Sequence, residues 1–289
     1  IISFVLYSES GSRMALNYGL KLAEIDIQYQ DLQGNLASGM QFTDLTYSAD
    51  GTQVVVKNLV YQSDWRWFDW HLTLNNLQAS QVTINLETND QQTSKPFTGF
   101  EMPLSIDINQ LVVDEMAFKQ NGELIQTINE VTLTAQVQSD RILLQDMWVK
   151  APGQQLRTQG EASFGQGLDY DLQTQWQLID VNTEVNGQGS VNGNLEKIQL
   201  NQQLELKLPS LEGPLSVKGE VMMTANTPTV QLSISSKQLQ LPTTDNDLIL
   251  SDLNGHVSGA LDSYQLGLTG ILQPITVADQ SFPNSKLSL

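Results

Sequence analysis

Side chains able to do chemistry are few in this chain and poorly placed for it. The two histidines, His71 and His256, lie far apart, and neither has another histidine at metal-binding spacing. The lack of cysteine rules out disulfides, thiol nucleophiles and thiolate-bound metals. No Gly-x-Ser-x-Gly elbow, phosphate loop or dinucleotide-binding Gly-x-Gly-x-x-Gly is present. Asp169 and Asp171 resemble a catalytic carboxylate pair, but they alternate with Leu168, Tyr170 and Leu172, which places both on the wet side of one strand. The aromatic stretch DWRWFDW, residues 64–70, reads as a sugar-stacking platform, an interfacial anchor, or plain packing onto the strand that follows. A non-enzymatic protein without metal or cofactor is therefore expected. With 32 acidic against 14 basic residues the formal charge is −18, which repels polyphosphate and argues against nucleic acid as a partner.

The elements behind these residues follow one pattern. Residues 10–22, SGSRMALNYGLKL, offer Ser10 or Ser12 as a helix cap and then apolar residues at helical spacing. From residue 23 onward the period is two, as in LDYDLQTQWQL at 168–178, and a strand with one wet and one apolar face is expected. Asp50-Gly51, Asn121-Gly122, Pro152-Gly153, Asn186-Gly187 and Gly213-Pro214 supply turn signals between the runs. GSVNGNLEKIQL at 189–200 and GHVSGALDSYQL at 255–266 align without a gap, with related openings at Gly160 and Gly219, so the repeating unit is a hairpin of about 30 residues.

The expected fold is all-β, a long antiparallel meander with one short N-terminal helix, its sheet either packed on a second sheet or folded lengthwise so that its two arms face each other across a groove. Alternation places Ile25, Ile27, Tyr29, Leu72, Leu74, Val82, Ile84, Leu104, Ile106, Ile108, Val131 and Leu133 on the groove side. The same side takes Leu168, Tyr170, Leu172, Trp176, Leu178, Leu204, Leu206, Val230, Leu232, Ile234, Leu266 and Leu268. A one-sided sheet has to cover its apolar face, and no amphipathic helix is available for that past residue 22. A second sheet would make a sandwich. An interior too wide for side chains to fill would instead suit hydrocarbon, since removing apolar surface from water gains roughly 25 cal/mol per Å². A structural or adhesin-like β-solenoid or sandwich that binds proteins or glycans is the alternative reading.

The run IISFVLY at residues 1–7 is too short to cross a bilayer, which takes about 20 apolar residues, and reads as either the tail of a spanning helix or a short buried segment. NSKLSL at the other end stops inside an alternating pattern, so the chain reads as a fragment. Two regions are expected: residues 1–22, the end of a membrane anchor plus a short amphipathic helix, and residues 23–289, the repeating hairpin groove.

Residues 25–86 carry a resemblance. A glycine-bearing strand (Leu32-Gln33-Gly34-Asn35-Leu36, then Gly39-Met40) precedes Phe42-Thr43-Asp44-Leu45-Thr46-Tyr47, and a valine-rich strand (Val54, Val55, Val56, Leu59) follows. The tryptophan-bearing segment and LQASQVTI at 77–84 complete the order. This resembles the start of the TamB-like proteins of the AsmA superfamily. The resemblance implies inner-membrane anchoring in a Gram-negative bacterium and a long antiparallel meander curled lengthwise into a U-shaped, taco-like hydrophobic groove across the periplasm. It further implies carriage of phospholipids with their acyl chains shielded in the trough, and partnership with an outer-membrane barrel of the TamA type through a C-terminal domain. It transfers no catalytic residue.

Overall fold

The computed structural model describes residues 2–22, 26–49, 51–66, 69–87, 99, 101–165, 167–223, 227–243, 248–260, 262–277 and 280–288. The chain divides into two compact units, Ile1–Pro152 and Gly153–Leu289. Each is built almost wholly of strands, as the alternation requires.

The first unit opens with α1 (Ile2–Tyr7) and α2 (Glu9–Leu22), followed by β1 (Ile27–Gln28), β2 (Asp31–Asn35), β3 (Gly39–Ala49) and β4 (Thr52–Arg66). Next come β5 (His71–Leu86), β6 (Ser105–Gln120), β7 (Glu123–Gln138) and β8 (Arg141–Ala151). Two helices thus stand where one was expected. The cap of α2 is Ser8, whose Oγ accepts from the Gly11 amide at 3.1 Å. Ser12, an expected cap, is instead fully buried and ties three segments together. Its hydroxyl donates to the Val5 carbonyl at 3.0 Å and accepts from the Leu36 amide at 3.0 Å.

On one edge β3 pairs with β4, and on the other with β2 and β1; the ladder continues through β5 to β8. One step departs from the antiparallel meander, because β5 and β6 run parallel, with Leu72 opposite Ile106 and Ile84 opposite Phe118. Residues 87–104 separate them, and a parallel pair needs a crossover of about a dozen residues or more, whereas hairpin turns cannot make one. Asn121-Gly122 forms the expected β6–β7 turn, with both residues at positive φ (51° and 84°), the geometry of a tight two-residue hairpin.

One buried cluster lies beneath α2. Leu32, Met40 and Phe42 are buried there, with Leu16 of α2, Tyr29, Leu59 and Tyr61 against them. Burial pushes the Tyr61 phenol up to about 12. A raised phenol means that the folded state holds its proton after the unfolded chain has lost it. The contribution of Tyr61 to stability is therefore expected to be constant below pH about 10 and to be lost between about 10 and 12. Denaturant titrations across that window should show the fall for the native protein and a shallower one for Tyr61→Phe; identical slopes would contradict it.

The second unit contains β9 (Gln154–Ser163), β10 (Tyr170–Asp180), β11 (Thr183–Gly193), β12 (Lys197–Leu208) and β13 (Leu211–Met222). It continues with β14 (Thr229–Leu241), β15 (Leu248–Ala260), β16 (Ser263–Leu272), β17 (Ile275–Val277), β18 (Gln280–Phe282) and β19 (Ser285–Ser288). Strands β9 to β16 pair antiparallel in sequence order, β19 adds to β16, and β17 with β18 forms a separate small hairpin. Two expected turns are strand interior instead. Gly187 lies within β11 directly opposite Trp176. Gly213-Pro214 lies within β13, with Pro214 opposite Glu205 on β12 and at a break in the ladder with β14 between Glu212 and Ser216, the kind of irregularity at which a sheet tolerates proline.

Candidate functional site

Register aligns the apolar residues into straight cross-strand rows. In the second unit one row runs Gly160, Leu172, Val191, Leu200, Gly219, Leu232, Val257, Leu266 across β9 to β16. A parallel row holds Ala162, Tyr170, Gly193, Ile198, Val221, Val230, Gly259 and Tyr264. The sequence repeat is thus literal in space: Val191 and Val257 share a row with Leu200 and Leu266, and Gly193 and Gly259 share the next. In the first unit the corresponding row is Leu32, Phe42, Leu59, Ala79, Val113, Val131, Val149. Side chains two apart point the same way, so these rows form one apolar face of each sheet.

In the first unit part of that face is core, with Leu32, Phe42 and Ala79 buried, whereas in the second unit it is less covered than an ordinary core. In the second unit's Leu172 row every non-glycine side chain is half-buried or exposed, with Leu266 at 48%. A meshed sandwich would bury such residues nearly completely.

The structure places the expected groove residues as follows. Val82, Leu206 and Val230 are buried. Ile27, Tyr29, Leu72, Leu74, Ile84, Leu104, Ile106, Ile108, Val131, Leu133, Leu168, Tyr170, Leu172, Trp176, Leu204, Leu232, Ile234 and Leu268 are half-buried. Leu178 and Leu266 are exposed, and Ile25 lies outside the described residues. Val191, Leu200 and Val257 join the face although the alternation list omitted them; their signal was their matched position in the repeat.

A polar group crosses this face and was also missed. Gln202, 8% exposed, donates through Nε2 to Thr174 Oγ1 at 3.1 Å and to the Ser190 carbonyl at 3.2 Å. Its Oε1 accepts from Trp176 Nε1 at 3.1 Å. Both amide protons and the indole N–H are therefore satisfied, and the patch offers a passenger no open donor. Its signal was positional, since residues 200, 202 and 204 alternate onto one side. The Trp176 indole lies over Gly187, where a Cβ would overlap the ring, so the glycine sets the seat of the tryptophan.

The opposite face is polar. Gln173, Ser190, Asn201, Lys218, Ser233 and His256 form one of its rows. Asp169 and Asp171 are exposed. Glu184, also on this face, is held below the usual carboxylate range by the Asn186 amide first and by Lys207 second. His71 Nε2 lies 2.8 Å from Asp107 Oδ2, tying β5 to β6 across the parallel joint. His256 meets Ser258 at 3.1 Å. In the aromatic stretch Trp65 shares the apolar row of Leu72, Ile106 and Val137, Trp70 is 71% exposed, and residues 67 and 68 lie outside the described residues. Among the described residues no cluster of three or more metal-ligating side chains occurs, and no helix is long and apolar enough to cross a membrane.

Comparison with known proteins adds one finding. The family model described as TamB, N-terminal domain, matches residues 91–282, about two thirds of the chain. The match falls on the alternating hairpins rather than on the 25–86 segment that carried the resemblance. No curated relative and no solved structure matches.

Proposed function

Because the chain belongs to the TamB family, whose role is the transport of lipid or protein, we propose that it is a non-enzymatic conduit for phospholipid between the inner and outer membranes. Acyl chains lie along the apolar rows while the headgroup stays in water. The observation that carries this reading is the row of half-exposed leucines and valines running strand after strand. Each methylene laid on such a face gains about 0.8 kcal/mol at full burial. A shallow floor spreads that gain evenly, so a tail can slide without being trapped, and the internally satisfied Gln202 network adds no deep polar well.

Within the proposal, residues 23–289 are the groove, with the floor residues named above as its contacts, and residues 1–22 are its inner-membrane end. The protein is then periplasmic and anchored in the inner membrane of a Gram-negative bacterium, with an outer-membrane barrel of the TamA type as partner. Native mass spectrometry of the detergent-purified protein, with solvent extraction of what it carries, is expected to yield co-purified phospholipid. A lipid-free protein under mild detergent would count against the conduit.

A further inference from the structure

Helix α2 is apolar on two opposite sides. Leu16 faces the sheet and packs against the Leu32, Met40 and Phe42 core. At 100° per residue, Met14, Tyr18 and Leu22 fall in a narrow stripe on the other side, and they are 60%, 70% and 75% exposed. An amphipathic helix that only covered a sheet would present polar residues there. Tyr7, at the end of α1, is 67% exposed beside the same helix pair.

Charge narrows what can cover the stripe. Residues 1–22 contain Arg13 and Lys21 against Glu9, a net +1, so the rest of the chain carries −19 of the total −18. This end is the part of the protein that an anionic surface does not repel. The stripe is also small. Three side chains present a few hundred Å² at most, below what holds a stable dimer, but enough to sink one helix face into the headgroup boundary. Tyrosine favours that boundary because its ring is apolar and its hydroxyl wet, and Lys21 can lay its stem along the surface with its ammonium in water.

We infer that α2 lies flat on a phospholipid bilayer, with Met14, Tyr18 and Leu22 inserted among the headgroups and Leu16 holding the sheet to its other side. The inference rests on the membrane location proposed above and is independent of what the groove carries. It fixes the first strands of the sheet at the bilayer surface.

The lack of native cysteine permits a clean test. An environment-sensitive fluorophore is attached at Tyr18→Cys, and as a control at Gln175→Cys on the polar face of β10. On adding vesicles of phosphatidylethanolamine and phosphatidylglycerol, emission should shift to the blue at position 18 and stay unchanged at 175. The pair Met14→Asp and Leu22→Asp, both at exposed positions, should lower the vesicle-bound fraction about tenfold or more. No shift at position 18 in vesicle-bound protein would overturn the inference, as would a shift that follows protein concentration without vesicles, which would mean a second copy. Lipid extracted in detergent reports separately on the groove: unchanged lipid content with lost vesicle binding in the Asp pair supports the α2 inference, vesicle binding left intact by the Asp pair overturns it, and an unsubstituted protein that binds vesicles yet carries no lipid would strike only the conduit.

Discussion

Leu232→Asp is expected to strip the protein of bound phospholipid while leaving the sheet folded. Leu232 is half-buried in the middle of its row, between Gly219 on β13 and Val257 on β15. In the empty groove a carboxylate there still reaches water, so the β14 ladders persist and the loss of stability is modest. An acyl chain lying across it would take the charge out of water without a counter-ion, at a cost of several kcal/mol. That exceeds the gain from the handful of methylenes in contact, at about 0.8 kcal/mol each. Lipid per mole of protein should fall to about one tenth or less, with circular dichroism unchanged. Ser233→Asp, one residue on and on the polar face, should retain native lipid content. Equal loss from both, or from neither, would show that the apolar rows do not carry the passenger.

Gly219→Ala should destabilise the second unit by about 2–4 kcal/mol, a fall in Tm of roughly 5–15 °C. Gly219 has φ of +153°, and a Cβ there would overlap the Gln231 carbonyl oxygen on β14. The obstacle is backbone, which cannot rotate away, so the β13–β14 ladder has to open. The contrast is Gly19→Ala in α2, where nothing lies within 4 Å of the added Cβ. There the exchange removes a helix-weakening glycine and should be neutral or stabilising by up to about 1 kcal/mol. Calorimetry of the two variants separates a glycine that lets strands approach closely from one that is merely tolerated.

Glycine also marks where reading from sequence succeeds and where it stops. The matched glycines at 189 and 255, and at 193 and 259, announced a repeating hairpin, and each pair does occupy equivalent positions in the ladder. Asn186-Gly187 and Gly213-Pro214 carried the same local chemistry as true turns yet lie inside strands. What overrides them is not local: an indole from β10 needs the room at Gly187, and Pro214 coincides with a break in the β13–β14 ladder. Asn121-Gly122 had no such partner and turns as its residues prefer.

The sequence by itself determined the class of the protein. A period of two is a property of the backbone pleat, so it dictates which side chains share a face wherever the strand ends up, and the absence of cysteine and of clustered ligands limits the chemistry at once. Tertiary structure decided which strands are neighbours and in which direction they run, hence the parallel joint of β5 and β6, the rows that bring Val191 and Leu200 beside Leu172, and the closure of Gln202 onto Trp176 and Thr174. Those depend on hydrogen bonds between residues distant in the chain, and alternation, which repeats identically along every strand, contains no information about register.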